Sequence, residues 1–250
     1  MKKFIFLFMF VWAFASCEKS IDEQPVVQTD NSSINFKATW SASGRWDSWT
    51  NGGYTLYNNI WGSGYGTQVI WTNSYSNWGV WADHPNTGGI KSYPNCEKVV
   101  NAKLSSLVRL KSNFNCTVPS TGSYNTAYDV WCNNYTYEIM IWMNWRGAVA
   151  PISNSYDANG NPVPVYTNVT IGGLTFNVYR GNNGSNEVYS FLRTSQTTAA
   201  TVDIRSTVNW IKNVPRWFGD VTIYKVQLGW EITSCAGGAN FVMNSYSVFN

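Results

Sequence analysis

One nine-residue stretch, residues 137–145, constrains the fold of this chain more than any other. Successive side chains of a β-strand point to opposite faces of the sheet, and this stretch alternates in that way. One face is apolar and suits a buried core: Tyr137, Ile139, Ile141 and Met143. The other face carries Glu138, Met140, Trp142 and Asn144. The stretch is either a core strand with one exposed Glu or a strand that holds a carboxylate in a low dielectric, which perturbs its pKa.

The preceding segment favours the second interpretation. Residues 128–132 are also strand-like, and Asn133-Asn134 predicts a two-residue hairpin turn between the two strands. Pairing about that turn sets Asp129 directly opposite Glu138, with Cβ atoms about 5 Å apart. Two carboxyls so close are costly unless they share a proton or a hydrogen bond, so the pairing indicates a functional site.

Composition narrows the chemistry. Charged residues make up only 12% of the chain, about half the usual share, and aromatic residues make up 16%. This mixture is typical of secreted β-proteins that bind sugars, although most of the tryptophans must serve the core. The formal charge of +3 falls to 3 − 2 = +1 without Lys2 and Lys3, and the absence of a basic patch argues against nucleic acid. His84 is the only histidine, which excludes His-cluster zinc sites and, unless His84 itself serves, Ser-His-Asp and Cys-His schemes.

The amino terminus predicts export. Residues 1–17 resemble a signal peptide, and the small residues before Cys17 resemble the lipobox of bacterial lipoproteins, in which that cysteine is acylated. The alternative is an ordinary cleaved signal peptide with an incidental cysteine. Residues 18–34 are polar and predict a flexible tether. We therefore expect an exported lipoprotein, anchored by lipid at Cys17 to the outer membrane or cell surface.

Four further cysteines remain in the exported chain: Cys96, Cys116, Cys132 and Cys235. An even number in an exported protein predicts two disulfides, with three possible connectivities. We favour Cys96–Cys116 with Cys132–Cys235, because Cys132 and Cys235 each follow a candidate catalytic carboxylate by a few residues.

Short strand-like runs separated by Gly, Asn and Ser turns fill residues 35–250 and predict one all-β domain, a jelly-roll sandwich of two antiparallel sheets with a concave cleft. The runs include 54–56, 67–71, 79–81, 99–108, 174–179, 187–194 and 221–231. A single helix is predicted over residues 201–212, with Asp203 near its start.

A second carboxylate stands in the alternating run 223–231. Glu231 shares a face with Gln227 and with Gly229, which would let a substrate approach closely. Of the six glutamates, only Glu138 and Glu231 fall mid-strand among aromatic residues, because Glu97 and Glu187 are assigned to loops. Two carboxylates that flank a sugar-binding groove are what glycoside hydrolysis requires.

At this point the chain resembles glycoside hydrolase family 12, the small jelly-roll endoglucanases and xyloglucanases. The resemblance covers about residues 35–250 and rests on several motifs in the family's order. Residues 137–142 are similar to the nucleophile strand, 226–231 to the acid/base strand, 128–130 to the strand whose Asp bonds the nucleophile, and 58–62 to a cleft motif. Residues 91–95, 178–191 and the predicted helix also fit.

The resemblance implies a retaining endo-β-1,4-glucanase that acts on xyloglucan, mixed-linkage glucan or amorphous cellulose. It implies Glu138 as nucleophile, Glu231 as acid/base, and Asp129 as a protonated partner that holds the nucleophile. The implied substrate-binding residues are Asn59, Trp61, Met140, Trp142 and Gln227. No metal or organic cofactor is expected, and we expect a monomer whose partner is a β-glucan.

Two alternatives remain open at the level of sequence. The first is a non-catalytic glycan-binding jelly-roll lipoprotein with the same aromatic cleft. It has no need of two opposed carboxylates, so hydrolysis that disappears in Glu138→Gln while binding persists would exclude it. The second is a structural surface-layer protein, which predicts neither activity nor saturable binding.

Overall fold

A computed structural model describes residues 28–30, 33–35 and 38–250 of the chain. The predicted signal peptide, Cys17 and most of the predicted tether lie outside the described residues. Within the tether segment, β1 (Gln28–Asp30) pairs antiparallel with β2 (Ser33–Asn35). Residues from Ala38 to Asn250 form a separate compact unit.

That unit is built mainly of strands, which follow one another through short turns. They are β3 (Trp40–Ala42), β4 (Ser48–Asn51), β5 (Tyr54–Tyr57), β6 (Thr67–Ser74), β7 (Asn77–Asp83), β8 (Asn95–Lys103), β9 (Lys111–Thr117), β10 (Ser123–Cys132), β11 (Tyr137–Arg146), β12 (Tyr166–Ile171), β13 (Leu174–Asn182), β14 (Glu187–Arg193), β15 (Ala199–Asp203), β16 (Thr222–Ser234) and β17 (Ala239–Phe249). A 3-10 turn (Leu104–Ser106) and the helix α1 (Ile204–Asn213) complete the described elements.

The strands of the unit from Ala38 to Asn250 form two sheets. The larger sheet has the order β12-β13-β14-β11-β10-β16-β8-β5-β4, and the smaller one the order β15-β9-β17-β7-β6-β3. The predicted all-β jelly-roll sandwich with one helix is confirmed for the described residues. One strand pair departs from the predicted antiparallel arrangement, because β11 and β14 run parallel. The cause is the long connection between these two strands, residues 147–186, which includes the β12–β13 hairpin. After that hairpin the chain runs antiparallel to β13 as β14 and pairs with β11 in the parallel direction.

The core lies between the two sheets. Trp230 of the larger sheet packs against Trp78 of the smaller one, with ring centroids 4.9 Å apart. Phe241 packs on Trp230 at 5.6 Å, and all three side chains are fully buried. The apolar sides of the alternating strands therefore face one another, as the sequence predicts.

The helix begins later than predicted. Residues 199–203 form β15, which pairs with β9, so the first residues of the predicted helix belong to a strand. Asp203 caps the helix by accepting a hydrogen bond from the Ser206 N–H at 2.9 Å. The buried helical face is Ile204, Val208 and Ile211. The strand predicted over 99–108 ends early, since the 3-10 turn follows Lys103 and Val108 is 93% exposed. No helix among the described residues is long and apolar enough to cross a membrane.

The predicted disulfides are wrong: all four cysteines of the described residues are buried free thiols. Cys132 lies opposite Ile223 at the start of β16, whereas Cys235 follows the far end of that strand. Twelve residues of strand span about 40 Å, far beyond the roughly 7 Å limit for a disulfide. Cys96 and Cys116 lie on different sheets, whose backbones pack about 10 Å apart.

Candidate active site

Three carboxyls lie on three neighbouring strands of the larger sheet. Asp129 is on β10, Glu138 on β11 and Glu231 on β16, and β10 lies between the other two. Their chain neighbours Val130, Ile139 and Trp230 point into the core. Because side chains alternate along a strand, the carboxyls point away from the smaller sheet, onto what we call the cleft face. Sequence alternation thus predicts their common face.

The register between β10 and β11 differs from the predicted one. Trp131, not Asp129, lies opposite Glu138, and Asp129 lies opposite Met140. The turn contains four residues instead of two, since Asn133, Asn134 and Tyr135 all adopt left-handed backbone with φ of 48°, 49° and 70°. A shift of two residues preserves the face, so Asp129 and Glu138 remain diagonal neighbours there.

Glu138 is 8% exposed, in surroundings that disfavour its charge. Burial raises the pKa of its carboxyl, and the nearby charge of Glu231 raises that pKa further. One contact works in the opposite direction: Asn183 Nδ2 donates a hydrogen bond to Glu138 Oε2 at 3.1 Å. Asn183 reaches Glu138 because the turn before β14 meets the start of β11, a result of their parallel pairing.

Asp129 is the most enclosed of the three carboxyls. Burial and the charges of Glu138 and Glu231 raise its pKa well above the ordinary value, against a smaller lowering by the Tyr93 hydroxyl. Its Oδ1 atom is buried without a hydrogen-bond partner. The raised pKa favours the protonated form of Asp129, which has a proton to donate.

Glu231 is partly exposed and lies opposite Asn125 in the β10–β16 ladder. Burial raises the pKa of its carboxyl, and the Asn125 Nδ2 group, which donates to Glu231 Oε2, lowers it. The three carboxyls interact, so they titrate as a group and share protons. Such a group can supply an anion and an acid at the same time.

Two cavities open on the cleft face. The first has a volume of about 190 Å³ and is lined by Glu231, Asn125, Trp142 and the loop 148–150, among others. The second has a volume of about 230 Å³ and lies further along β16; Asn59, Asn95, Glu97, Lys225 and Gln227 line it together with Trp46 and Tyr57. The two cavities together can accommodate an elongated ligand next to the three carboxyls.

Two of the predicted substrate-binding residues follow Glu138 along β11. Met140 and Trp142 lie on the cleft face but are only 4% and 2% exposed, since they pack in a small apolar cluster with Val188 and Leu192. Trp142 also reaches the first cavity. Trp142 therefore both packs in this cluster and lines the first cavity.

Asn144 is not on the cleft face, contrary to the prediction. A β-bulge places Thr126 opposite Asn144 but Ala127 opposite Trp142, which leaves Met143 as an extra residue. Beyond the bulge the alternation reverses. Asn144 therefore turns inward, where it accepts a hydrogen bond from Thr126 Oγ1 at 2.8 Å and lies near the Cys116 thiol of the smaller sheet, whose pKa is raised by burial.

The remaining predicted binding residues lie at the second cavity or near it. Asn59 and Gln227 line it, and Asn59 donates from Nδ2 to the Tyr93 carbonyl at 3.1 Å. Trp61, two residues after Asn59, is 47% exposed and presents its ring to solvent. Asn59 has a left-handed backbone, with φ of 44°, at the bend that carries Trp61.

Several site residues escaped the sequence analysis. Asn125 and Trp131 share the face of Asp129, and extending the alternation along β10 would have found them. Glu97 was assigned to a loop, but it lies in β8 opposite Gln227. Asn183 lies in the run 178–191 that resembles the family, but alternation does not place it near Glu138, because it reaches Glu138 through a turn whose position depends on the parallel strand pair. Among the described residues, no cluster of three or more His, Cys, Asp or Glu could hold a metal ion.

Comparison with known proteins agrees with this geometry. Residues 52–249 match the family model described as glycosyl hydrolase family 12. The chain is 32% identical over 226 residues to the xyloglucan-specific endo-beta-1,4-glucanase A of Emericella nidulans, a match that covers 82% of this chain and 89% of that protein.

Solved structures give the same result. The xyloglucanase domain of NopAA, a type three effector from Sinorhizobium fredii solved in complex with cellobiose, superimposes with a TM-score of 0.82 at 43% identity. That match covers 84% of this chain and 98% of the domain. A family 12 xyloglucanase from Bacillus licheniformis gives a TM-score of 0.72 at 26% identity, over 84% of this chain and 99% of that one.

Proposed function

Because this chain belongs to glycosyl hydrolase family 12, we propose that it is a retaining endo-β-1,4-glucanase that cleaves internal bonds of xyloglucan. The observation that carries the proposal is the group of three interacting carboxyls on the cleft face, beside two cavities of that face. A glycan-binding protein would have no use for buried carboxyls whose raised pKa values make them costly to keep.

The proposed reaction is a double displacement. Ionised Glu138 attacks the anomeric carbon while protonated Glu231 gives its proton to the glycosidic oxygen, which departs with the leaving half of the glucan. Glu231, now ionised, takes a proton from water, and the hydroxide attacks the same carbon and releases Glu138. Two inversions give net retention, which requires carboxyls about 5–5.5 Å apart.

The environment of Asp129 supports this distribution of charge. Asp129 has the strongest reason to be protonated, because it is buried and flanked by both other carboxyls. Its unpartnered Oδ1 gives a protonated Asp129 an atom from which to donate toward its diagonal neighbour Glu138. Together with the Asn183 amide, this donation would favour the anion on Glu138 and leave the second shared proton for Glu231.

The positions of the two cavities support one direction for the bound substrate. Glu231 lines the first cavity, and a general acid must contact the oxygen of the leaving group. The leaving half of the glucan therefore occupies the first cavity. The other half, the glycone, extends past Asn59 and Gln227 into the second cavity, with Trp61 available to stack on a sugar ring.

The names of the relatives support xyloglucan as the preferred substrate, with mixed-linkage glucan and amorphous cellulose as further substrates. We further propose that acylated Cys17 anchors the enzyme to the bacterial surface, where a tethered monomer would cleave soluble branched glucan. Replacement of Cys17 by Ser should release the enzyme from the membrane fraction, and metabolic labelling with palmitate should then be lost.

The test is reducing-sugar release by residues 18–250 from xyloglucan, barley β-glucan, carboxymethylcellulose and xylan, with Glu138→Gln in parallel. We expect the highest rate on xyloglucan, no release by the variant, and a β-configured new reducing end in early proton NMR spectra. An α-configured product would exclude retention. Tight binding with all four polymers intact would instead favour the glycan-binding alternative.

A further inference from the structure

The second cavity contains a carboxylate that the catalytic proposal does not use. Glu97 lies on β8 opposite Gln227 and is 7% exposed. Its Oε2 atom accepts a hydrogen bond from Lys225 Nζ at 2.7 Å, in an ion pair whose two side chains are 11% and 8% exposed. A charge pair so deeply placed on a sheet face is expensive to desolvate and is weak evidence for a role in stability alone.

The contacts of Glu97 are concentrated on one of its two oxygens. Gln227 Nε2 also donates to Oε2, at 2.8 Å, while Gln227 Oε1 accepts from Trp131 Nε1 at 2.9 Å. Gln227 is therefore held in one orientation by bonds at both ends of its amide. Among the described residues Oε1 of Glu97 accepts no hydrogen bond, which leaves it available to a ligand in the cavity that Glu97 lines.

Two asparagines add acceptors to the same cavity. Asn95 is 1% exposed; its Nδ2 donates to the Tyr93 carbonyl at 2.8 Å, and its Oδ1 is buried without a partner. Asn59 donates to the same carbonyl from Nδ2, at 3.1 Å. Both amides are thereby oriented with their nitrogens on Tyr93. A buried acceptor without a partner is costly, so this set of atoms fits a ligand that brings hydrogen-bond donors.

The cavity is separated from the point of cleavage. Glu97 lies on β8, three strands from Glu138 on β11, a separation of about 14 Å across the sheet. Its partner Gln227 lies opposite Asp129 and precedes Glu231 by four residues of β16, about 13 Å along the strand. One wall of the cavity is Trp46, whose side chain is 63% exposed and offers a flat ring to a sugar. The site can thus hold a ring of the glycone beyond the one that reacts.

We propose that Glu97, oriented by Lys225 and Gln227, is a substrate-binding residue of a distal glycone subsite, where Oε1 accepts hydrogen bonds from hydroxyl groups of an uncharged glucosyl ring. The inference rests on the proposed function, which supplies the glucan. A carboxylate with neighbouring amide oxygens suits paired hydroxyls.

The experiment compares aryl β-glycosides of cellobiose, cellotriose and cellotetraose as substrates for the purified protein and a double variant, Glu97→Gln with Lys225→Met. Removing both charges avoids a buried charge without its partner. Asp220→Asn is a matched control, because it removes an exposed carboxylate that bonds Ser105 and lines neither cavity. Thermal denaturation of each variant checks that it is folded.

For the unmodified protein we expect kcat/KM to rise when one particular glucosyl unit is added. In the double variant that rise in kcat/KM should be smaller by about 10- to 100-fold, the range for hydrogen bonds to charged groups. The kcat/KM of the shortest substrate should change less than twofold. Equal slowing of all three substrates, or no change in any, would overturn the proposal. If the unmodified protein hydrolyses no β-1,4-glucan and no aryl glycoside, the proposed function itself has failed.

Discussion

The two faces of the larger sheet are made by the same strands but follow opposite physical rules. On the core face, Ile139, Ile141 and Trp230 are fully buried among apolar neighbours. On the cleft face, Asp129 and Glu138 are almost as deeply buried, yet their charges are disfavoured and Asp129 Oδ1 has no partner. One face stabilises the fold, and the other keeps reactive groups at the expense of stability.

The comparison is sharpest at Glu138. Glu138→Gln should lower the rate of glucan hydrolysis by about 10⁴-fold or more, since it removes the proposed nucleophile. The same change should raise the melting temperature at pH 8 by a few °C, because about 1 kcal/mol shifts a domain of this size by roughly 2–4 °C. Calorimetry and initial rates on one preparation measure both effects.

The pH dependence of that stabilisation has a definite sign. The folded-state pKa of Glu138 is raised above its ordinary 4.5, so folded protein binds more protons than unfolded protein as the pH rises above about 4.5. The contribution of Glu138 to stability is therefore present at low pH and is lost as pH rises through the folded pKa. The gain from Gln should be larger at pH 8 than at pH 5; an equal gain at both would contradict this account.

Ile139, the next residue along β11, should behave in the opposite way. Ile139→Ala leaves a cavity in the core and should cost about 2–5 kcal/mol, a fall in melting temperature of roughly 5–20 °C. At a temperature where the variant is folded, its kcat should stay within severalfold of the original. A loss of kcat comparable with that of Glu138→Gln would show that the two faces are not separable.

Asn183 gives a smaller test on the cleft face. Asn183→Ala removes the hydrogen bond to Glu138 Oε2 and should lower kcat/KM by about 10- to 100-fold. It should also raise the pKa of Glu138, because the amide lowers that pKa in the intact protein. The acidic limb of the pH–rate profile should move to higher pH; a uniform fall in rate with an unmoved limb would assign Asn183 a different role.

The smallest effect is expected from reduction. Since the described cysteines are free thiols, dithiothreitol should change the melting temperature by less than about 1 °C, whereas loss of a native disulfide typically costs 2–5 kcal/mol. Thiol titration should find the four groups unreactive in folded protein, because burial raises their pKa, and reactive after unfolding.

Alternation of side chains predicts the faces of β11 correctly as far as Trp142 and then fails at Asn144. A bulge adds one residue to one strand, and nothing in the local pattern of apolar and polar residues marks Met143 as the extra one. The hairpin register fails for a related reason. Asn133-Asn134 suits a two-residue turn, but Tyr135 also takes a left-handed backbone, which an aromatic residue rarely does.

Other errors arise from contacts that are distant in sequence. Glu97 follows a Pro-Asn-Cys segment that indicates a loop, and only its pairing with β16 places it in the cleft. The favoured disulfides paired cysteines by their distance from carboxylates, whereas β16 separates Cys132 from Cys235 by its own length. Sequence therefore predicts the class of fold and the three carboxyls, but not the register, the bulge or the polar network that surrounds them.

The pairing of β10 with β16 has a consequence for how the enzyme is made. Asn125 and Glu231, joined by a side-chain hydrogen bond across that ladder, are 106 positions apart in the chain. Loop closure over such a distance is slow, so Asp129 and Glu138 can meet through their hairpin well before Glu231 joins them. Refolding should regain tryptophan burial first and hydrolytic activity last, so a nascent or partly folded chain carries no complete hydrolase.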